Sequence, residues 1–470
     1  MYKILLNNIT SKIIPTLTSD VLSGLSIELS YKIEKCYFSK KFKMGYWDGD
    51  IKLFKKKTQS FSTGFLSRVR KVLDHFELSY EIEDLRNLPF LGEPYDLNII
   101  LRDYQEDIVN TIFSYERGIV KSATGSGKSV MIAGFLAKVN VSTLIIVPRI
   151  SLLQQLANNL EGWLGTEIGW IGEGKCEPRK ITISTMQSLI SAYNSKTSNN
   201  KLDIRNELIK QVLENVECMM IDECHHTTSK SLKFLTNKAK NAYHRIGFSA
   251  TPFWDIESDM LVEAPMGRII VDLKASELIE RGYLAKPTIR FYKVSHPTYP
   301  KTSFNDFYTL SVVDNFERNN LILDLVLDRI KQGKSVLIAV TRIMHGRILE
   351  SLLKSQLDEG VIFVDGSFIS SELRDALFKL NSKEYKCVIA TTVFGEGVDV
   401  PNLDVLVNAK AQTSKVDTLQ LAGRALRVSN TKKVAEIIDF YDTCRYLRSH
   451  ANNRIKAYQE EPLFEIVRMY

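Results

Sequence analysis

The stretch that decides the fold is "GIVKSATGSGKSVMIAGFLAKV", residues 118–139. It runs from a short apolar segment through a Gly- and Ser-rich segment into a second apolar run long enough for a helix. A strand, a glycine-containing loop and a helix in that order are the context that a phosphate-binding loop requires. Gly125 and Gly127 allow backbone angles that turn successive N–H groups toward an anion, and the helix adds the positive end of its dipole. We therefore predict an ATP site here.

Individual residues of this loop have predicted roles. Lys128 can reach the β- and γ-phosphate oxygens, and the Ser129 hydroxyl can bind Mg²⁺. In the strict pattern G-x-x-x-x-G-K-[ST], the first glycine position is occupied here by Ser122. The alternative interpretation is a simple glycine turn. The predicted cofactor-binding residues of the loop are Ser122, Thr124, Gly125, Ser126, Gly127, Lys128 and Ser129.

A second stretch, "MMIDECHH" (219–226), has two competing interpretations. As an apolar strand ending in two acids, it would place Asp222 near the Mg²⁺ and let Glu223 orient or deprotonate the attacking water. As a metal cluster it would use Cys224 and the two histidines that follow. Adjacent side chains diverge, however, and zinc sites are usually built from separated pairs of ligands. We favour the ATP and Mg²⁺ interpretation, with zinc and a plain buried strand end as the alternatives.

Patterns typical of strands and of helices alternate over most of the chain. The strand candidates are nearly continuous apolar runs, which are typical of parallel strands covered on both faces. The predicted fold class is α/β, with two tandem domains built on parallel sheets behind a small basic α/β N-terminal domain. The predicted strands are 118–122, 143–148, 180–185, 218–222 and 245–249, then 335–340, 361–365, 386–391, 403–408 and 434–440. The predicted domains are 1–92, 93–285 and 286–445, followed by a C-terminal helical tail at 446–470.

Composition narrows the class of protein. Hydrophobic residues make up 44% and charged residues 25% of the 470, as in an ordinary globular protein, and the net charge is +7. Six cysteines are scattered without a CxxC pair, and neither a signal-peptide pattern nor an apolar run long enough to span a membrane is present. We expect a cytoplasmic protein. Residues 31–71 hold twelve Lys or Arg against three acidic residues, which indicates either a polyanion partner or a solvated face.

Several short motifs, taken in their order and spacing, resemble those of superfamily 2 helicases of the DEAD/DEAH group. The resemblance implies two RecA-like domains that use ATP and Mg²⁺, with Gln105 recognising adenine. It also implies that "SAT" couples hydrolysis to movement between the domains. The motifs are "LRDYQ" (101–105), "VPRISLLQQ" (147–155), "STMQS" (184–188), "DECH" (222–225), "SAT" (249–251), "ATTVFGEGVDVP" (390–401) and "QLAGRALR" (420–427).

The last of these motifs carries the predicted charge clamp. Negative charge builds up during phosphoryl transfer, and guanidinium groups placed across a cleft stabilise it. Arg424 and Arg427 lie three residues apart on a predicted helix, hence on one face, and Gln420 can join that face. Arg427 is the preferred arginine finger. Gly397 and Asp399 would lie at the cleft and link the nucleotide state to the nucleic-acid track. A solvated basic helix is the alternative.

Nucleic-acid contacts are predicted at two kinds of position. In "KKFKMGYWDGDIKLF" (40–54), lysines can neutralise phosphates while aromatic rings stack on bases. For Trp47 the opposite interpretation is favoured slightly, namely a ring in the domain's own core beside a tight "WDGD" turn. The resemblance adds positions on the two α/β domains. The candidates for DNA contact are Lys40, Lys41, Lys43, Trp47, Arg149, Thr185, Gln187, Thr341 and Thr391.

Together, the basic N-terminal segment and the motifs resemble phage recombination and repair helicases. This implies an ATP-dependent DNA helicase or translocase, expected to be a monomer, which unwinds or branch-migrates forked and junction DNA in the cytoplasm of a bacterial host. Three alternatives stay open: an RNA helicase of DEAD/DEAH type, a duplex-DNA translocase without strand separation, and a nucleotide-gated clamp without turnover. Intact Glu223, Arg424 and Arg427 argue against the clamp.

Overall fold

The computed structural model forms two compact units. The first comprises Met1–Ser122 with Gly127–Asp272, and the second comprises Ala123–Ser126 with Leu273–Tyr470. No helix in the described part of the chain is long and apolar enough to cross a membrane. The structure describes residues 1–194, 200–224, 229–250, 256–299, 302–357, 359–368, 370–391, 403–428 and 434–470.

The N-terminal part of the first unit is a small α/β structure, as predicted. Its main sheet has the order β5-β2-β1-β6, and a separate β3-β4 hairpin pairs antiparallel. β1 pairs antiparallel with β2 and parallel with β6. The elements are β1 (Tyr2–Leu6), β2 (Thr10–Ile14), α1 (Ser19–Glu28), β3 (Ser30–Lys32), α2 (Lys40–Lys43), β4 (Asp50–Lys52), β5 (Ser60–Ser62), α3 (Leu66–His75) and β6 (Tyr80–Asp84).

The core of this N-terminal part is shared with the α/β domain that follows it. Ile4 and Ile13 are fully buried on facing strands, and they belong to a cluster that also contains Met260. Met260 lies on α10 (Ile256–Met266) of the α/β domain. The approach is close, because a Cβ added to Gly64 would lie 2.0 Å from the Glu263 carbonyl oxygen. The N-terminal part therefore packs directly on the α/β domain of its unit.

The α/β domain of the first unit is built on an eight-stranded sheet of order β10-β9-β11-β8-β12-β13-β7-β14. All five predicted strands are present, and β11, β8, β12, β13 and β7 pair parallel. Its strands are β7 (Arg117–Ser122), β8 (Thr143–Val147), β9 (Gly169–Gly172), β10 (Lys175–Glu177), β11 (Ile181–Thr185), β12 (Cys218–Asp222), β13 (His244–Ser249) and β14 (Ile269–Leu273). Its helices, besides α10, are α4 (Asp103–Tyr115), α5 (Lys128–Val139), α6 (Ile150–Leu164), α7 (Met186–Asn194), α8 (Asn200–Asn215) and α9 (Ser229–Lys238); the next helix, α11 (Ala275–Glu280), belongs to the second unit.

The second unit is built on a seven-stranded sheet of order β17-β18-β16-β19-β20-β15-β21, in which every pair is parallel. Its five predicted strands are also present. The strands are β15 (Lys286–Val294), β16 (Val336–Ala339), β17 (Val361–Val364), β18 (Cys387–Ala390), β19 (Val405–Asn408), β20 (Val434–Asp442) and β21 (Glu465–Met469). The helices are α12 (Phe304–Tyr308), α13 (Phe316–Lys331), α14 (Ile343–Lys354), α15 (Ser370–Asn381), α16 (Lys415–Ala425) and α17 (Arg445–Gln459).

The C-terminal tail differs from the prediction in part. Its helix is α17, but the chain then forms β21, which pairs parallel with β15 at the edge of the sheet. A fully buried ion pair holds α17 on the sheet, because Arg454 donates to Asp439 of β20 at 2.9 Å. The "EIVRM" run has the β-branched residues of a short edge strand, and a parallel partner far away in sequence stabilises it.

Candidate nucleotide site

The loop between β7 and α5 has the backbone shape that a phosphate cradle needs. Gly125 and Gly127 have φ of +89° and +81°, in the left-handed region that glycine adopts without strain. The Ser126 N–H donates to the Ala123 carbonyl at 3.1 Å, which closes a tight turn. α5 begins at Lys128, so the loop ends at the positive pole of a twelve-residue helix.

Lys128 of this loop forms an ion pair with Glu223, in which Nζ donates to Oε1. Both side chains are largely buried, with exposed fractions of 15% and 14%. Burial lowers the pKa of Lys128, but Glu223 and Asp222 outweigh it and the net shift is upward. Glu223 itself has a φ of 48°, a left-handed conformation that is unusual outside glycine and is often found at functional sites. The structure therefore brings the loop lysine and the predicted catalytic acid together.

The strand order explains this meeting. β12 carries the acids, β7 leads into the loop, and only β13 lies between them in the sheet. Because parallel strands end at the same edge, Asp222 and Lys128 emerge on one side of the sheet. β13 ends there as well, at the fully buried Ser249 of "SAT"; Thr251 of that motif lies outside the described residues.

The residues predicted to hold Mg²⁺ have suitable chemistry. Asp222 and Ser129 are both half-buried and offer a carboxylate and a hydroxyl oxygen. Mg²⁺ is usually bound by one or two such protein oxygens together with substrate phosphates and water. No group of three or more His, Cys, Asp or Glu side chains that could hold a metal occurs in the described part of the chain.

The zinc interpretation of 219–226 receives no support from Cys224. Its side chain is fully buried in the apolar cluster of the domain, and burial raises the pKa of its thiol far above the usual value. Burial also raises the pKa of Cys218 to about 12. Zinc binds thiolates, which such surroundings disfavour. The two histidines of the stretch, His225 and His226, lie outside the described residues.

Gln105, predicted to recognise adenine, lies beside the loop. It is 3% exposed, and a Cβ added to Gly127 would lie 2.5 Å from its Nε2 atom. Its Oε1 atom accepts the N–H of Arg102 at 3.0 Å at the start of α4. One end of the amide therefore fixes the helix terminus while the other end lies next to the phosphate loop.

In the second unit, Gln420 and Arg424 line a small cavity on α16 together with Thr391. Lys410 and Asp417, which no sequence motif singled out, line it as well. Burial lowers the pKa of the Lys410 ammonium, Asp417 opposes that shift and Arg424 adds to it. Lys410 comes two residues after the end of β19, at the edge of a parallel sheet where ligands usually bind. Its position just after a predicted strand could therefore have indicated a site residue from the sequence.

Arg427 is placed differently from the prediction. α16 ends at Ala425, so Arg427 does not lie on the helix face that carries Gln420 and Arg424. It instead forms an isolated antiparallel bridge with Leu284, and the Ala285 N–H donates to the Leu426 carbonyl beside it. The prediction of one shared helix face is therefore wrong, because the chain leaves the helix before Arg427 to pair with this extended segment. Gly397 and Asp399 lie outside the described residues.

The predicted DNA-contacting lysines of the N-terminal part are all exposed. Lys40, Lys41 and Lys43 lie on the one-turn helix α2. Trp47 is half-buried and its Nε1 atom donates to the Asp50 carbonyl at 2.8 Å, as in the tight-turn interpretation. The aromatic rings available near the lysines are instead Tyr37, Phe38 and Tyr46, which are exposed by 55%, 69% and 81%.

The remaining candidates for DNA contact lie where strands end. Arg149 and Gln187 are exposed beside the ends of β8 and β11, which are neighbours in the sheet. Thr185 is 7% exposed and its Oγ1 atom accepts the Ser188 N–H, so it serves the start of α7. Thr341 of the second unit is exposed and donates to the Lys410 carbonyl at 3.4 Å.

Comparison with known families identifies the protein class. Residues 98–254 match the family described as the res subunit of type III restriction enzymes, and residues 317–429 match the helicase conserved C-terminal domain. The chain is a superfamily 2 helicase. The two matched regions contain the loop with its acids and the cavity of α16, respectively.

Relatives and solved structures agree with that class. The helicase is 28% identical over 448 residues to putative helicase 22 of Sulfolobus islandicus filamentous virus, which covers 87% of this chain and 75% of the relative. It is 24% identical over 482 residues to the ATP-dependent DNA helicase uvsW of Enterobacteria phage T4, covering 92% of each. The structure of S. cerevisiae Dbp5 bound to RNA and ADP BeF3 is similar with a TM-score of 0.56 at 16% identity, covering 78% and 89%. At that identity the structural likeness shows the fold alone.

Proposed function

We propose that this helicase couples the hydrolysis of ATP to movement on DNA, and that it unwinds or branch-migrates forked and junction DNA in recombination, repair or replication. The observation that carries the proposal is the ion pair of Lys128 and Glu223, which joins the phosphate loop to the acid of the "DECH" motif. Similarity to uvsW, named as an ATP-dependent DNA helicase, supports DNA as the track. The same similarity supports a phage protein acting in the host cytoplasm.

Binding of ATP changes the partners of this ion pair in the proposed mechanism. Lys128 leaves Glu223 and binds the β- and γ-phosphate oxygens, which are stronger competitors for an ammonium than one carboxylate. Glu223 is then released to orient and deprotonate the attacking water. Ser129 and Asp222 would hold Mg²⁺, which supplies Lewis-acid stabilisation of the phosphate charge. In the absence of the nucleotide the Glu223 carboxylate stays paired with the Lys128 ammonium.

The second unit contributes guanidinium charge in this proposal. Arg424 and Arg427 belong to "QLAGRALR", whose resemblance to a helicase motif supports their role at the transferring phosphoryl group. Gln420 lies on the same helix as Arg424 and lines the same cavity. Gly397 and Asp399 are proposed to link the nucleotide state to the DNA track.

The test is ATP turnover measured without DNA and with single-stranded, duplex, forked and four-way DNA. We expect DNA to stimulate turnover, with forked or four-way DNA the most effective, and Lys128→Ala to abolish it. The proposal is contradicted if ATP turnover is the same with and without DNA, or if Lys128→Ala keeps full turnover. Competition between DNA and RNA of the same length decides the nature of the track, because nothing in the motifs reads a 2′-hydroxyl.

A second candidate function is movement along duplex DNA without strand separation. The match of residues 98–254 to the res subunit of type III restriction enzymes favours it. Displacement of a triplex-forming strand from duplex DNA measures translocation alone, whereas unwinding of a fork also requires strand separation. Triplex displacement without fork unwinding would replace the proposed helicase activity with this one.

A further inference from the structure

A cavity of about 510 Å³ lies in the first unit, between the N-terminal part and the α/β domain. α3 contributes Arg70 and Lys71 to its wall, β7 contributes Arg117, and the segment after α10 contributes Arg268. None of these residues belongs to the nucleotide loop. Both parts of the unit therefore supply positive charge to one space.

Arg117 is a cation of this wall whose guanidinium is largely buried. Its Nη2 atom donates to the Asn8 carbonyl at 2.5 Å, but Nε and Nη1 are buried and have no hydrogen-bond partner among the described residues. Burial lowers its pKa well below the usual value, the nearby charges of Arg245 and Arg86 lower it further, and Glu116 only partly opposes this. Nε and Nη1 are almost inaccessible to solvent, so a molecule in the cavity does not contact them, and Arg117 acts on the cavity through its charge.

The acids near the cavity are already engaged elsewhere. Arg86 binds Asp84 at 2.6 Å and Glu116 at 2.9 Å, and its guanidinium lies 4.3 Å from the centre of the Tyr243 ring. The hydroxyl of Tyr243 also donates to Glu116, at 2.6 Å. Both carboxylates pair with Arg86, and in the described part of the chain neither forms an ion pair with Lys71, Arg117 or Arg268.

The exposed cations of the wall have neutral partners or none. Arg268 donates to the Tyr115 hydroxyl at 3.3 Å and lies over the same ring. Lys71 is exposed, and within the described ranges it has no carboxylate at ion-pair distance. Arg70 donates to the Tyr80 hydroxyl, which in turn donates to Asp74 of α3. An anion in the cavity can contact Lys71 and Arg268 and lies close to the charge of Arg117.

We propose that this cavity is a phosphate-binding site separate from the nucleotide loop, in which Lys71 and Arg268 bind the phosphate and Arg117 adds positive charge to the wall. A guanidinium forms charge-assisted hydrogen bonds with phosphate oxygens, and the exposed Arg268 offers such donors at the rim beside the Lys71 ammonium. The volume exceeds that of one phosphate and accommodates a nucleotide-sized segment of a polyanion. The phosphate comes either from a nucleic-acid backbone or from a free phosphate compound, and the chemistry of recognition is the same.

Thermal unfolding of the full chain tests the site with inorganic phosphate as the probe, against chloride at equal ionic strength. The Lys128→Ala background removes the contribution of the nucleotide loop. We expect phosphate to raise Tm by about 2–4 °C, and Lys71→Gln combined with Arg268→Gln to remove most of that shift. Both residues are exposed, so the double variant is expected to fold. The matched control is Arg179→Gln, an exposed arginine paired with Glu167.

A phosphate-dependent shift that is equal in the double variant and the control overturns the proposal, because general salt effects act on every variant alike. The source of the phosphate is decided by the salt dependence of DNA binding without ATP. If the DNA backbone is the ligand, the slope of log K against log salt falls by about 0.9 for each phosphate that the variant no longer neutralises. Disappearance of the Tm shift with an unchanged slope assigns the site to a free phosphate compound. Neither measurement depends on ATP turnover, so failure here is distinct from failure of the proposed helicase activity.

Discussion

Lys128 of the phosphate loop and Glu223 at the end of β12 are paired directly, although they are 95 positions apart in the sequence. The pairing neutralises two charged groups that are both largely buried, and Glu223, the predicted base, has a left-handed backbone conformation. An ion pair of this kind must open before the lysine can bind a phosphate. The structure thus predicts a cost for nucleotide binding that depends on Glu223.

Removal of the Glu223 charge should separate ATP binding from hydrolysis. In Glu223→Gln the base is absent, so we expect turnover to fall by about 10²–10⁴-fold. Because Lys128 no longer has to leave a carboxylate, we expect ATP to bind up to about tenfold more tightly, which corresponds to about 1.4 kcal/mol. Single-turnover hydrolysis and equilibrium binding of a fluorescent ATP analogue measure the two effects.

Lys128→Ala is the matched comparison, because it breaks the same ion pair from the other side. It should weaken ATP binding as well as hydrolysis. Weaker binding in both variants would show that the ion pair serves only to stabilise the fold and does not compete with the nucleotide.

Gln105→Glu should test the adenine assignment without disturbing α4. The substitution keeps the Oε1 acceptor that receives the Arg102 N–H at 3.0 Å, and it removes the amide donor beside Gly127. We expect KM for ATP to rise about tenfold, as for the removal of one hydrogen bond to a buried partner, with GTP turnover unchanged. Gln105→Ala also removes the helix cap, at a cost of about 1 kcal/mol. An equal rise of KM for both nucleotides would exclude a role in reading the base.

Arg427→Lys and Arg424→Lys keep the charge and remove the planar fork. We expect kcat to fall by about 10²-fold or more with little change in KM, because a guanidinium acts on the charge that develops in the transition state. The backbone bridge of Arg427 to Leu284 does not require its side chain and should persist. Arg347→Lys, at an exposed position of the same unit, serves as the control. A change confined to KM would mean that the two arginines contribute to the binding of ATP in the ground state and not to the transition state.

Charge removal on α2 should reveal whether the N-terminal lysines bind DNA. In the triple variant Lys40→Gln, Lys41→Gln and Lys43→Gln, we expect the salt slope of DNA binding to fall by about 0.9 for each DNA phosphate that these lysines neutralise. ATP turnover without DNA should stay unchanged. Deletion of the N-terminal part is a poorer experiment, because its core includes Met260 and the deletion would expose that side chain.

The control for this triple variant carries the same charge change on the second unit, at the exposed residues Lys286, Lys293 and Lys331. An identical decrease of the slope in both triple variants would mean that overall charge, and not α2, governs the binding of DNA.

The stability of the second unit should fall in mild acid because of His345. Burial, together with the smaller effect of the Arg318 charge, lowers the pKa of His345 from 6.5 to about 3. Below about pH 6.5 His345 therefore binds a proton in the unfolded chain but not in the folded chain. The free energy of unfolding is thus unaffected by His345 above that pH and decreases as the pH falls toward 3. The expected decrease is about 2 kcal/mol at pH 5.

Urea unfolding of the second unit at pH 7.5 and pH 5 measures this effect. His345→Gln keeps a group that can bond Asn319 and should reduce the difference between the two pH values. His75→Gln changes an exposed histidine and should leave the difference as it is. A pH dependence unaltered in His345→Gln would assign the acid sensitivity to other groups.

The sequence by itself determined the two parallel sheets and the phosphate loop. The five strands predicted in each α/β domain are present, because buried parallel strands are short apolar runs that can be recognised locally. The loop could also be recognised locally, because the left-handed backbone angles of its glycines are accessible to glycine wherever it stands in the chain.

Only the tertiary structure decided which side chains meet. β13 lies between β7, which leads into the loop of Lys128, and β12, which ends just before Glu223, and the spacing of the two residues in the sequence does not give that strand order. The early end of α16 before Arg427, the edge strand β21 and the unused donors of Arg117 likewise depend on partners distant in the chain. Local patterns fix local backbone structure, whereas pairing, burial and charge compensation arise from contacts that form only when the chain has folded.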